Sequence, residues 1–371
     1  MKIIFYFLII SLLTSCNKQN NFFEVYKDFY SAFPSDVIKT KDGGFIIAGW
    51  GRSSNYHNSS NGIAIKLNSE GEREWAREYG NNNSYEKFKF AVSLDNDEYY
   101  LGGNKDNNIW ITKIDSKGEV LLEKTFGGSF FESGEDACYD SNDKSLFIVG
   151  TTNKSGNGDI IILKIDNTGK VLTKKIYTDD RYENVFSCMF DKKDSSLILT
   201  GSKFTSDRNG LDAFIMKVNN YGSPIWEKSF GGEGGEVFWD SEIDNEGNYL
   251  FSGTSTLSES GTSAIIIKFD KLGRLINTNI FNDFPHSSGK NLIKKSNNTF
   301  TIIGRSGNFS GHKNNKLLIL NLNKNINLDS HKIVSKTLGI EGKIGIELNE
   351  VKLLVSGTTN RGNIFTLTII N

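Results

Sequence analysis

Apolar residues along this chain fall into short runs separated by polar turns, and the runs return in the same order about every fifty residues. One run, Phe45-Ile46-Ile47-Ala48-Gly49, follows the polar turn Asp42-Gly43-Gly44 and reads as a strand ending at glycine. Its counterparts end at Gly103, Gly150, Gly201, Gly253, Gly304 and Gly357, so the steps from Gly49 are 54, 47, 51, 52, 51 and 53 residues. A second run, at 63–68, 111–115, 161–166, 214–219 and 265–270, is dominated by apolar and β-branched residues and closes on Asp or Asn. Glycine follows three residues later, at Gly71, Gly118, Gly169, Gly222 and Gly273. An Asx side chain bonds its own backbone two residues on, and glycine accepts positive φ, so this is a strand, a tight turn and a return strand. The next unit, Asn323 to Ile326, lacks the glycine and reads as degenerate.

Eight residues past each of those five glycines stands an aromatic: Tyr79, Phe126, Tyr177, Phe230 or Phe281. An acidic residue follows six or seven positions later at Glu86, Glu132, Glu183 and Glu236. Each unit thus supplies four strands. A fixed period of this size, built of short strands, predicts an all-β array closed on itself. The ends agree with closure. After Gly357 there is room for one more strand, while Tyr26 to Tyr30 matches Trp75 to Tyr79, and Asp36 lies six residues past Tyr30. The expected fold is a seven-bladed β-propeller of four-stranded blades. Its last blade combines an N-terminal strand with C-terminal strands, which removes exposed sheet edges. A solenoid would carry capping repeats instead of complementary fragments.

The first sixteen residues differ from the rest. Met1-Lys2 gives a positive start, 3–13 is almost wholly apolar, and Leu13-Thr14-Ser15-Cys16 closes the segment. The apolar run has signal-peptide proportions, and its last four residues resemble a bacterial lipobox. The expected division is a lipoprotein signal at 1–16, with Cys16 as the lipidated residue, a polar tether at 17–21 and one propeller domain at 22–371. Several acyl chains on one residue give stable anchoring. Asn17 after the cysteine points to an outer membrane, facing the periplasm, in a bacterial cell envelope.

Formal net charge is −1 with basic residues spread throughout, which argues against nucleic acid as the partner. Cys138 and Cys188 fall at near-equivalent places in consecutive units; an oxidising compartment permits a disulfide, and two separate buried thiols are the plainer alternative.

The unit Asp-Gly-Gly-Phe-Ile-Ile-x-Gly, then Ile-Lys-Leu-Asn-x-x-Gly-x-x-x-Trp, then Tyr-Gly, resembles a family of bacterial secreted and lipid-anchored repeat proteins. The resemblance spans about residues 22–371 and implies a propeller, with activity mostly unassigned in that family. The spacing Gly71 to Trp75 and Gly222 to Trp226 is more distantly similar to quinoprotein-like propellers, in which such tryptophans lock adjacent blades. That group includes quinone-dependent dehydrogenases and a lipid-anchored scaffold of outer-membrane protein assembly. The cofactor-pocket signature of its enzymes is missing here.

The acidic series Asp36, Glu86, Glu132, Glu183 and Glu236 is the main candidate site. It is expected either to ring one channel mouth, where it would attract a cationic ligand, or to accept backbone N–H bonds and organise the crossover loops. The second role suits residues that recur with the repeat. Lys66, Lys113, Lys164, Lys217 and Lys268 also recur and are expected to lay their stems along a polar face. Trp50, Arg52 and Tyr56 stand together in a loop as candidate face contacts, while Trp110 and Trp239 are likewise non-repeating. The histidines are scattered without metal-ligand spacing, and neither a Gly-x-Ser-x-Gly elbow nor a phosphate loop occurs. No catalytic residue, metal or cofactor is expected. The expected function is a membrane-anchored, monomeric, non-enzymatic scaffold that binds an envelope protein or glycan through face loops at 51–61, 104–107, 153–158, 202–210 and 254–261. The alternative is a propeller enzyme, quinone-dependent or carbohydrate-active.

Overall fold

The computed structural model describes residues 23–27, 29–52, 59–81, 84–178, 181–205, 210–232, 234–258, 261–284, 286–307, 315–335, 340–350, 352–359 and 361–370. Among these residues the chain forms seven four-stranded antiparallel sheets. Their innermost strands are Ser31–Lys39, Glu86–Ser93, Glu132–Asp140, Glu183–Asp191, Glu236–Ile243, Ser288–Lys294 and Ile340–Asn349. Each packs against the next, and the last packs against the first, so the blades form a closed ring. We number the blades in that order. In the seventh, the strands run Phe23–Val25, Ile364–Ile370, Lys352–Thr359, Ile340–Asn349 from the outside in. The chain's two ends therefore share one sheet, the seven-bladed closure that the repeat predicts.

Local chemistry explains why the hairpins form. The Asn68 side chain accepts bonds from the backbone N–H groups of Glu70 and Glu72, and Asp115, Asp166, Asn219, Asp270 and Asn323 do the same in their turns. Gly71 completes its turn at a φ of 89°, in the left-handed region. Ile326 holds the same place in the sixth blade at a φ of 62°. The turn thus survives without its glycine. A β-branched residue is strained there, and the offset is burial, because the Ile326 side chain is sealed among Phe284, Leu320 and Leu322.

The seven repeating glycines lie inside the second strand of each blade, not at its end; Gly49, for example, sits within Phe45–Arg52. Their reason is next door. Every innermost strand carries a one-residue β-bulge opposite its glycine. The bulge folds a carbonyl over the glycine. A Cβ on Gly49 would land on the Phe33 oxygen, one on Gly201 on the Asn184 oxygen and one on Gly357 on the Glu341 oxygen. The period of the sequence is therefore the imprint of a repeated bulge.

The core lies between blades. Ile46 and Ala48 of the first blade pack with Phe88, Leu101 and Trp110 of the second, and equivalent clusters follow around the ring. Polar staples add to them. Tyr79 donates its hydroxyl to the Gly118 carbonyl at 2.9 Å, and the indoles of Trp75 and Trp226 donate to Ser116 and Lys271 carbonyls at 3.3 Å. The recurring lysines are ion-pair partners, buried in every case but the half-buried Lys113, which pairs with Glu98: Lys66 meets Asp42 at 2.9 Å, Lys164 meets Asp143 at 2.7 Å and Lys268 meets Asp244 at 2.8 Å.

One alignment is displaced. Tyr26, not Tyr30, takes the place of Tyr79: its N–H donates to the Ile364 carbonyl and its side chain is buried, whereas Tyr30 is 66 % exposed. Two tyrosines four residues apart satisfy the same aromatic pattern, and only packing separates them. The slip carries forward. Pro34 pairs with Gly49 as Phe88 pairs with Gly103, so Ala32, not Asp36, is the counterpart of Glu86.

Candidate functional site

The bulge is what aims side chains at the axis. In chain order the bulged residues are Ser35, Lys89, Glu135, Phe186, Trp239, Lys290 and Lys343. All seven line one axial cavity of about 460 Å3. The backbone feature repeats in every blade while the side chain it presents does not.

The lining is chemically divided. Lys89 is neutralised by Glu135, at 2.6 Å, so the second and third blades are bridged by an ion pair. The Phe186 and Trp239 rings lie 4.7 Å apart and form an apolar wall, and the Trp239 indole N–H donates to Thr254 at 3.0 Å. Lys290 and Lys343 come next. The Lys290 ammonium stands 3.2 Å from the Trp239 ring centre and that of Lys343 stands 5.1 Å from the Phe33 ring. Burial lowers the pKa of both, with Lys290 brought down to about 7 as Arg305 and Lys343 add repulsion.

Just past the bulge, the first, third and fifth blades present Asp36, Asp136 and Asp240 to the cavity. Each reaches across to the next blade and accepts a backbone N–H, from Ala91 at 2.7 Å, Cys188 at 2.8 Å and Leu292 at 2.8 Å. Asn291 continues the pattern to Gly345 at 2.8 Å. Burial raises all three carboxyl pKa values despite those bonds, and the carboxyls repel one another around the axis. Asp240 reaches about 6. Among the described residues no group of three or more His, Cys, Asp or Glu side chains is placed to hold a metal ion.

The structure separates the five acidic candidates. Glu86, Glu132, Glu183 and Glu236 begin the innermost strands of the second to fifth blades and are buried. Glu86 accepts the Asn81 N–H at 2.8 Å and pairs with Lys105, Glu132 and Glu183 pair with Lys174 and Lys203, and Glu236 accepts from Gly232 and Ser255. They hold the crossovers together. Asp36 stands apart from them at the axis, a consequence of the four-residue slip.

Trp50 and Arg52 lie within a strand, not a loop. Trp50 stacks on Phe33 with 4.4 Å between ring centres, and Lys87 of the second blade stands 4.2 Å from it. Tyr56 and Cys16 lie outside the described residues. Cys138 and Cys188 are free thiols on neighbouring innermost strands. Burial raises the Cys188 thiol pKa, and Cys138 beside it raises it further.

The sequence reading missed Lys89, Glu135, Lys290 and Lys343. A signal was present for the second to fifth blades: with the units aligned on the acidic residue, the position three further on holds Lys89, Glu135, Phe186 and Trp239, the column that varies in kind, whereas Ser287 and Ile340 stand in the acidic place ahead of Lys290 and Lys343 and leave those two unmarked.

No protein-family model and no curated protein matches the sequence. Among solved structures, the WD40 domain of Neurospora crassa Pan2 superposes with a TM-score of 0.61 at 10% identity, covering 94% of each chain. Chaetomium thermophilum Sqt1 gives 0.57 at 8% identity, over 92% of this chain and 96% of that one. A Bacteroides caccae protein of unknown function gives 0.48 at 11% identity, over 75% and 92%. At such identities the Pan2 and Sqt1 likenesses speak to the fold alone, and they agree with the seven-bladed propeller described above.

Proposed function

We propose that this chain is a lipid-anchored protein of a bacterial cell envelope whose propeller is a non-enzymatic scaffold. Its protein or glycan partner binds at the mouth of the axial cavity and on the surrounding loops. The observation that carries this reading is the bulge column: a repeated backbone device presents unlike side chains at one place. A residue serving the blade is repeated, as the buried lysines are, whereas ligand contacts are free to differ. Aromatic rings beside charged groups in a concave site are the ordinary composition of a binding pocket.

The test is in-cell crosslinking of the wild-type chain and of a Trp239→Ala, Lys290→Gln double variant, with Cys16→Ser as a third arm. A partner enriched with wild type and lost with the double variant supports the reading. Equal enrichment of every partner by both chains overturns it. Cys16→Ser is expected to abolish palmitate labelling and release the protein from membranes, and persistence of both would overturn the anchor.

A further inference from the structure

Lys290 and Lys343 are two ammonium groups on neighbouring blades that line one axial cavity. Among the described residues neither has a carboxylate within ion-pair distance; each ammonium stands over an aromatic ring instead. Glu341, the carboxylate that faces both, is drawn instead to Arg305 at 3.6 Å and to the Asn315 amide at 3.3 Å. Two half-buried cations that share one distant carboxylate and form no ion pair with it are unfavourable, and an anion entering the cavity relieves both together.

The other side of the cavity limits what that anion is. Asp36, Asp136 and Asp240 repel negative charge there, so a ligand with anionic groups at both ends is disfavoured. Carboxyl oxygens favour hydroxyl donors. The wall between the two sides is the Phe186 and Trp239 pair, a surface for the C–H face of a ring. The cavity, at about 460 Å3, has the size of a small-ligand pocket.

We propose that the axial cavity binds a sugar acid, its single carboxylate at Lys290 and Lys343, its ring face on Trp239 and Phe186, and its hydroxyls towards Asp136 and Asp240. This rests on reading the mouth as the binding surface and names the ligand class for it. A carboxylate beside Lys290 also opposes the two effects that lower its pKa, desolvation and the repulsion from Arg305 and Lys343, so binding takes up a proton near neutral pH.

The experiment is calorimetric titration of the whole propeller with glucuronate, with glucose and inorganic phosphate as comparison arms. At pH 6 glucuronate is expected to bind at least about tenfold tighter than glucose, the worth of one charge-assisted bond. Its affinity is expected to fall between pH 6 and 8.5 as Lys290 loses its proton and Asp240 completes its ionisation in the same cavity. Lys290→Gln and Lys343→Gln are each expected to weaken glucuronate about tenfold or more with glucose unchanged, and Lys290→Gln to remove the part of the pH dependence above pH 7. Both side chains face the cavity and burial penalises their charge, so melting temperatures no lower than wild type are expected and separate lost binding from lost folding. Equal binding of glucose and glucuronate, or no response to Lys290→Gln, overturns the proposal. Phosphate competing as well as glucuronate reduces the site to a bare anion site and overturns the sugar assignment. If a protein or neutral glycan binds in a Trp239-dependent way while glucuronate does not, the mouth remains the binding surface and only the sugar acid falls. If Trp239 and both lysines are silent towards every ligand, the two readings fail together.

Discussion

Glu242 shows what enclosure does to a single carboxyl near the axis. It lies two residues past Asp240, and burial is the largest influence on it, with Asp240 adding repulsion and Lys294 pulling the other way. The outcome is a pKa raised to about 7, beside an Asp240 raised to about 6. A folded-state pKa above the unfolded one means that the folded protein holds more protons in the interval between them. This part of the stability is therefore complete below the unfolded carboxyl range, near pH 4, and is lost as pH rises through about 6 to 7. Glu242→Gln removes the titration without removing the shape. Urea midpoints of the variant are expected to be flatter than wild type between pH 4.5 and 7.5, with the variant more stable at pH 8 by about 2 kcal/mol. A variant that follows the wild-type slope throughout would show that Glu242 ionises freely in the fold. Nothing in the sequence marked this residue, because its burial and its contact with Lys294 are made by the packing of the next blade.

At the scale of the element, glycine and bulge make one unit, and only half of it was legible. The glycines stand out in the sequence because an added Cβ is excluded in all seven blades by a carbonyl of the adjacent strand. The bulge leaves no residue type of its own: Ser35, Lys89, Glu135 and Phe186 share nothing but position. The repeat therefore marks the scaffold and leaves unmarked the cavity residues that the scaffold carries. The unit makes a sharp prediction. In Gly201→Ala the new methyl overlaps the Asn184 backbone oxygen and crowds the Phe214 ring, which is buried in a core cluster. Relief requires the bulge to flatten, which withdraws Phe186 from the cavity. A loss of about 2 kcal/mol or more is expected in urea unfolding. Gly128→Ala is the control, because no atom lies within 4 Å of its added Cβ, and its cost is expected to stay within about 0.5 kcal/mol. Equal costs for the two would mean that the repeated glycine is not there for the bulge.

At the scale of the whole molecule, the ring depends on its smallest strand. Phe23–Val25 covers the outer edge of Ile364–Ile370, and Tyr26 locks it with a hydroxyl contact to Thr366 at 3.0 Å, 340 residues away in sequence. The closing strand was legible from the complementary ends, but its register was not, since Tyr26 and Tyr30 each satisfy the aromatic period and burial alone decides between them. Removing residues up to Tyr26 uncovers the N–H and C=O groups along a strand whose sequence, Ile364-Phe365-Thr366-Leu367-Thr368-Ile369-Ile370, is strongly β-forming and uncharged. Such an edge invites pairing with another copy. A chain beginning at Lys27 is therefore expected to keep its strand content by circular dichroism, to melt several degrees lower, and to pass from monomer to dimer or larger species in light scattering as concentration rises. Tyr26→Phe retains the strand and loses only the hydroxyl contact; it is expected to remain monomeric and to cost about 1 kcal/mol. A shortened chain that stays monomeric with an unchanged melting temperature would mean that the innermost strands, already packed in a ring, hold the seventh blade without its outer edge. The contrast between the two variants separates the contribution of one hydrogen bond from that of closing the sheet.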